Sequence, residues 1–390
     1  MTTAGRFAVI GGGVGGAAAA YRLARGGHDV TLIDRGDPGQ ATAAGAGIIS
    51  PGSSNHAGGV MGGPFYSIAQ EAGRFYPHLV AQLAEDGAGD TGYETVGQLV
   101  IARDETEVAD LEQRLQDIRT RQAHGMPNIG EASMISPGEA VELFPPLAPP
   151  AAAIHLRDAA RVDGRLLRDA LRRGLEHHGG RLIVGNAIPE VTGDRVTSVR
   201  VNGERIAVDG IVLSPGTWAN ELTEALGFRV PIAPQRGQIF HLRVPGANTS
   251  RWPNVTGRFD HYLLAFGPDR VVAGATRETG SGFDPRLTAG GVVHALSNAL
   301  GIAPGLATAT LHEPRVGLRP YTADRLPILG RAPGLANVTM AMGFGPSGLL
   351  LGPWSGAMVA DLLTGDAALP GAIDLQPYRW DRPLQSEDAR

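Results

Sequence analysis

The 390 residues include no cysteine and no lysine; every one of the 34 non-histidine basic side chains is an arginine. The first absence removes disulfides, thiolate nucleophiles, iron–sulfur ligation and cysteine-based zinc sites together. It does not fix a compartment, but it is compatible with the expected cytoplasmic location. The second absence removes Schiff-base chemistry and the phosphate-binding P-loop, both of which need a lysine amine. The net charge of -5, with no clustered basic run, argues against a nucleic-acid surface. No stretch reaches the ~18 unbroken apolar residues of a membrane span, so a soluble chain is expected. The apolar opening is interrupted by five glycines and followed by Arg22 and Arg25, unlike a secretory signal. Hydrophobic residues at 43% and charged residues at 19% fit a globular protein whose length suggests two domains or one large elaborated one.

What is present begins at once, with "FAVIGGGVGGAAAAYRLARGGHDVTLID" at 7–34. Phe7-Ala8-Val9-Ile10 is a short apolar run suited to a strand buried on both faces. Gly11, Gly13 and Gly16 fit G-x-G-x-x-G: the first for a tight turn, the second for close approach of a pyrophosphate, the third for helix–sheet packing. A helix follows, and its N-terminus offers free N–H groups and a positive dipole end to phosphate. The next strand ends at Asp34, 23 positions after Gly11. That is close to the ~20 at which an acidic residue meets a ribose hydroxyl. A carboxylate there disfavours a 2′-phosphate, which leaves NAD and FAD.

Beyond this unit lies "ATAAGAGIISPGSSNHAGG", too rich in small residues for a regular element and suited to backbone that passes close to a flat cofactor. Residues 104–122 predict an exposed helix, and "ISPGEAVELFPPLAPP" reads as a proline-punctuated connection. A helix capped by Asp163 is expected to bury Leu167, Ala170, Leu171 and Leu175 and to stop at Gly179-Gly180, before a strand at 181–184. His177 and His178, at that helix's end, are expected to be structural. Asn202-Gly203 marks a hairpin, with a further strand at 210–213. Three strands between about 230 and 280, with no helix among them, imply an antiparallel sheet and a second domain. A helical stretch is expected near 288–300.

The strand Val338 to Met342, the glycines 343, 345 and 348 and a helix running to Leu363 form a second strand–glycine–helix unit. A nucleotide domain completed from both ends of the chain suggests a long cofactor met by two helix N-termini, which fits FAD better than NAD.

With these motifs assembled, the chain resembles the D-amino-acid oxidase superfamily of flavoenzymes, most closely its glycine oxidase and D-amino-acid dehydrogenase branch. The matching features are the fingerprint ending at Asp34-Arg35, the loop Thr42 to Ile49, "RVDGRLLRDAL", "LSPGTWA", "PQRGQ", "VAGAT", "GLRPYTADRLPILG" and "GFGPSGLLLGPWSG". The resemblance implies an α/β Rossmann-like FAD-binding domain, discontinuous over 1–80, 150–220 and 315–390. A second α+β substrate domain, built on the antiparallel sheet, takes 81–149 and 221–314. Implied cofactor contacts are Gly11, Gly13, Val14, Gly16, Asp34, Arg35, Thr42, Ala43, Gly47, Ile48, Val191, Gly216, Gly345, Pro346, Ser347, Gly348 and Leu349.

Arg319, in "GLRP", matches the branch's carboxylate-holding arginine, since a guanidinium forks bidentately onto a carboxylate; the bland alternative is a pairing with Asp324 or backbone carbonyls. Tyr262 and His261 alternate along a strand, so at most one is expected to face the ring, and Arg277 is expected at the surface. The reaction implied is hydride removal from the carbon bearing an amine, giving an imine that hydrolyses to a 2-oxo acid. The flavin carries that chemistry, with no catalytic dyad and no metal. The electron acceptor is oxygen or another, and a homo-oligomer is left open. Where glycine oxidases place a further arginine, this chain has Pro346, which counts against glycine as substrate. A lysine over the flavin and a tethering cysteine, as in sarcosine-oxidase relatives, are absent, and the tethering histidine of dimethylglycine-dehydrogenase relatives is replaced by Ala44; FAD is therefore expected to be non-covalent. Competing readings are a cyclic secondary amine or a 2-hydroxy acid as substrate, an aromatic monooxygenase sharing the fingerprint, and a flavin-binding subunit of a larger complex.

Overall fold

The structure, a computed structural model, describes residues 4–54, 63–257, 261–365 and 373–384. Most of the segment 51–64, which by composition could either cover the pocket or merely link elements, lies outside the described residues. The opening apolar run is the strand Arg6–Ile10, buried from its second residue onward near the centre of a six-stranded sheet. Asp29–Asp34 and Arg181–Val184 extend the sheet on one side; Gly210–Leu213, Val338–Met342 and Ile328–Arg331 extend it on the other. Every pairing is parallel except the outermost one, between Ile328–Arg331 and Val338–Met342. The continuous apolar sequences follow from coverage of both faces. One face packs on the helices Val14–Arg25, Gly348–Thr364 and Gly164–His177. The other packs on a three-stranded sheet that contains the Asn202-Gly203 hairpin, with both turn residues at positive φ.

Two helix starts show how local chemistry sets these boundaries. The Asp163 carboxylate accepts from the backbone N–H groups of Arg165 at 2.9 Å and Leu166 at 3.2 Å, so the helix begins at Gly164 as expected. The segment expected to be a connection instead contains the helix Pro137–Leu143. Ser136 and Glu139 form a capping box across its first turn. The proline that suggested a break occupies N1, where it costs no hydrogen bond and starts a helix.

The second sheet has nine strands and is antiparallel apart from the pairing of Asn254–Thr256 with Gln98–Ala102. Ala152–Leu156 and Thr310–Tyr321, which the bounds implied by the resemblance put wholly or partly with the flavin domain, both hydrogen-bond into this sheet. One face buries Leu99, Leu263, Ala273 and Val255 beneath the helices Pro137–Leu143 and Ala289–Ile302. On the other face Ile239, Leu264, Phe266 and Val272 pack against Ala46 and Ile48 of the small-residue loop. This contact brings the two sheets together and leaves a groove beside it.

His177 and His178 close the helix Gly164–His177 beside Asp86. The His178 Nε2 lies 2.9 Å from Asp86, which already accepts from the Tyr21 hydroxyl at 2.5 Å. No helix of the described residues is long and apolar enough to cross a membrane.

Candidate functional site

The groove is about 680 Å³ and runs from the fingerprint to the second sheet. Backbone proximity makes it. Gly11 has φ +102°, and a Cβ there would lie 2.1 Å from the Ser214 carbonyl oxygen; one on Gly16 would lie 1.9 Å from the Gly11 oxygen. These positions admit no side chain, so the first strand, its turn and its helix meet at backbone distance. The helix of the second glycine unit is equally close: a Cβ on Gly356 would lie 2.0 Å from the Gly15 oxygen. The two distant glycine-rich stretches therefore converge on one floor. By contrast, Gly216 and Gly345 have open space where a side chain would stand, along the wall of the groove.

Of the expected cofactor contacts, Gly11, Gly13, Val14, Asp34, Arg35, Thr42, Gly47, Ile48, Gly216, Gly345, Pro346, Ser347, Gly348 and Leu349 line this groove. Gly16, Ala43 and Val191 do not. Gly16 is packed beneath the turn, and Ala43 lies in a one-turn helix whose neighbours Thr42 and Ala44 face the cavity. Val191 lies further along its strand, against Gly193, Leu226 and Trp380. Ala187, Ile188 and Pro189, at the start of that strand, line the groove in its place. Strand alternation gives no absolute register from sequence, which accounts for this slip of a few residues.

The fit to a dinucleotide is polar as well as steric. Gly13 offers the helix no side-chain cap, while the Val14 N–H donates to the Thr42 hydroxyl at 3.0 Å, tying the small-residue loop to the helix N-terminus. Asp34 accepts from the Gly36 N–H at 3.0 Å, the Gln40 amide at 2.9 Å and Arg172 at 2.6 Å. Arg172 went unseen in the sequence because it lies on a helix far along the chain. Burial, then the charge of Arg168, pushes its guanidinium below its ordinary range. Arg35 bridges Asp37 at 2.8 Å and Glu221 at 2.6 Å. Asp34, Asp37 and Glu221 are the acidic residues lining the groove among the described residues, and all three belong to this nucleotide end.

At the other end, Arg319 projects from the strand Thr310–Tyr321. Its Nη1 donates to the carbonyls of Thr276 at 3.1 Å and Arg236 at 3.4 Å, and it lies over Gly237, whose missing side chain makes room for it. Of the two alternative pairings, the one with Asp324 is not made, since that carboxylate is taken by Arg382 at 2.6 Å, whereas the one with backbone carbonyls is the pairing Arg319 makes here. Tyr262 and His261 both line the groove. The strand begins at Tyr262, so alternation does not govern His261. Arg277 is exposed yet also lines the groove, as do Arg325, Arg114, Gln98, Ser53 and Thr256. Sequence reasoning missed these because nothing local connects a helix at 108–123 with a strand at 98–102.

The family model "FAD dependent oxidoreductase" matches residues 6–362. The chain belongs to that family. It is an enzyme, and its cofactor is FAD. The crystal structure of iminodiacetate oxidase from Chelativorans sp. BNC1 superposes with a TM-score of 0.87 at 40% identity, covering 96% of this chain and 98% of that one. The oxidoreductase YurR of Bacillus subtilis is 39% identical over 373 residues, 95% of this chain and 97% of that protein. Glycine oxidase from Geobacillus kaustophilus is 29% identical over 389 residues, 98% of each. In this FAD-dependent oxidoreductase the glycine floor, Asp34 and the Thr42 loop are the residues suited to hold the dinucleotide. The sheet face carrying Tyr262 and Arg319 closes the far end.

Proposed function

We propose that this oxidoreductase cleaves the C–H bond beside the nitrogen of a carboxylate-bearing amine, with Arg319 holding the carboxylate. The observation that carries the reading is the placement of Arg319. Its guanidinium is fixed by two carbonyls over a glycine, at the one end of the groove where the described lining has arginines and no carboxylate. A fork-shaped donor in that position fixes the α-carbon of an amino acid in orientation as well as in place. Tyr262 and His261, at and just before the start of the strand Tyr262–Phe266, also line the groove and are the groups proposed to hydrogen-bond the amine or the second carboxylate oxygen. Bound FAD supplies the hydride acceptor. The nitrogen lone pair forms the imine as the C–H bond breaks, so the protein need only keep the amine neutral and aligned. Water then hydrolyses the imine to a 2-oxo acid and the released amine.

The relative named iminodiacetate oxidase, at 40% identity, supports a secondary amine with carboxylates on both arms, and the names of two relatives support oxygen as the acceptor. Pro346, in the glycine loop of the groove, counts against glycine itself. The test is anaerobic mixing of the holoenzyme with glycine, sarcosine, iminodiacetate and a D-amino-acid panel while flavin absorbance is followed, then oxygen uptake with the amines that react. Bleaching by carboxylate-bearing amines is expected, with a KM raised roughly 30-fold or more in Arg319→Ala, which should retain FAD. Bleaching by none of them, or an unchanged KM, overturns the reading.

A further inference from the structure

Arg114 lies on the helix Val108–Ala123, which packs its Leu111, Leu115 and Ile118 into the core shared with Val100 and Ile154 of the second sheet. It lines the groove together with Gln98 and Thr256, whose strands lie several places along the sheet from the one that carries Arg319. Its Nη2 donates to the Ser53 carbonyl at 2.8 Å, while its Nε is shut off from solvent and makes no hydrogen bond. No described carboxylate pairs with it. Its charged neighbour is a second guanidinium, Arg121, which is spent on the carbonyls of Gly52 and Ser54. Burial first, and then Arg121, disfavours the charge on Arg114. A buried cation beside another cation, with a donor left over, is costly unless an anion arrives.

The sheet gives the scale. Five strand spacings separate the strand carrying Arg319 from the strand carrying Gln98. Arg319 reaches back over the neighbouring strands to Gly237 and Thr276, and Arg114 is tied through Ser53 to Gln98, whose amide donates to Thr256. Three of those spacings lie between the carbonyls that hold Arg319 and the strand of Gln98, so the two guanidiniums are separated by at least on the order of 15 Å across the sheet, at ~4.8 Å per strand. Contacts at each end leave roughly 8 Å for the molecule between them.

We propose that Arg114 is a specificity-determining residue that receives a second carboxylate, remote from the reacting C–N bond, so that the enzyme favours elongated dicarboxylic amines over monocarboxylic ones. This rests on the reading of Arg319 as the first carboxylate site. Iminodiacetate is shorter than the span and is predicted not to reach Arg114; a dicarboxylic amine with a longer second arm does.

The test uses unreactive probes on the FAD-loaded enzyme: malonate, glutarate and pimelate against chain-matched monocarboxylates, titrated by the shift in flavin absorbance. Wild type is expected to bind pimelate about tenfold or more tighter than heptanoate, with no such advantage for malonate over propionate. Arg114→Gln should erase the pimelate advantage while leaving monocarboxylate affinity and flavin content unchanged, and Arg114→Lys should restore part of it. Equal weakening of both probe classes in Arg114→Gln would assign the residue to fold maintenance and overturn the proposal. So would a wild type with no dependence on chain length. If wild type binds monocarboxylates and oxidises amines without a chain-length effect, only the second site fails. If it does neither, the first carboxylate site fails with it.

Discussion

Gly237→Ala tests the alignment role of Arg319 without touching Arg319. Gly237 lies within the strand Ala233–Arg243 and is not at positive φ, so alanine fits its backbone. In a strand that exchange should be neutral or stabilising by roughly 0.5 kcal/mol through lost unfolded-state freedom. The new Cβ would stand 2.3 Å from Arg319 Nη2, 2.4 Å from Cζ and 2.5 Å from Nη1, where ordinary contact begins at 3.4 Å. The guanidinium must therefore retreat by about 1 Å, and as the far end of a long side chain it can do so cheaply. A misplacement of that size in a substrate-positioning group costs ~100-fold, or about 2.7 kcal/mol of transition-state stabilisation. The expected result is a Tm and flavin content equal to wild type, with kcat/KM for the best amine down about 100-fold. In the Arg319→Ala background the same substitution should have no further effect, because the group it displaces is gone. Wild-type kcat/KM in Gly237→Ala, with flavin content intact, would refute the assignment of Arg319 to substrate alignment.

Three further perturbations probe the cofactor floor and the contact between the sheets. Gly16→Ala sets a Cβ 1.9 Å from the Gly11 carbonyl oxygen, where only backbone could yield; the purified protein should carry little flavin by absorbance ratio, and full loading would contradict the packing role. Thr42→Val keeps shape but removes the acceptor for the Val14 N–H; the FAD dissociation constant should rise roughly fivefold, and fluorescence titration showing no change would remove that hydroxyl from the cradle. Burial raises Asp163, but the charge and hydrogen bond of Arg270, 2.7 Å away, with the Leu166 N–H and the charge of Arg315, together outweigh it, so its folded pKa sits below the ordinary value. Its contribution is therefore complete above about pH 5 and lost as pH falls through the depressed folded value. Asp163→Asn, which keeps a good helix cap, should cost about 2–3 kcal/mol at pH 7, and its Tm deficit should shrink below about pH 4; a deficit constant from pH 3 to 8 would mean the ion pair contributes nothing.

How much of this was legible depends on whether the chemistry is local. The fingerprint, its helix and Asp34 lie in one contiguous unit, and each is where glycine spacing and strand periodicity put it. The second glycine unit, from Val338 to Thr364, was equally plain. The helix capped by Asp163 could be read because a side chain announces its own N-terminus. The sheet that closes the groove was only partly visible. Its strands come from 98–102, 132–156 and 310–321 as well as 233–279, and pairing across such separations leaves no mark on composition. For the same reason Arg172 behind Asp34, and Arg114 beside Gln98, could be placed only once the strands were ordered. Val191 lies a few residues past Ala187, Ile188 and Pro189, which line the groove in its place.

The missing lysines acquire a physical sense in this arrangement. The flavin-side helix and the groove sheet are joined by cations in confined places: Arg270 on Asp163, and Arg315 on Glu313 with a contact to the Ala43 carbonyl. Between them lies His241, whose ring finds no partner and is pushed down to about 3, by burial first and then by Arg315 and Arg270. Burial also lowers Arg315, Arg161 and Arg172. An amine starting at about 10.4 and desolvated to the same degree would approach neutrality at physiological pH, whereas a guanidinium starting above about 12 stays charged. Its planar donors also reach carbonyls and carboxylates at once, as Arg172 does with Gly12 and Asp34. Arginine at these positions keeps the joint between cofactor floor and substrate wall charged, and so fixed, across the pH range in which an amine substrate must be partly neutral to react.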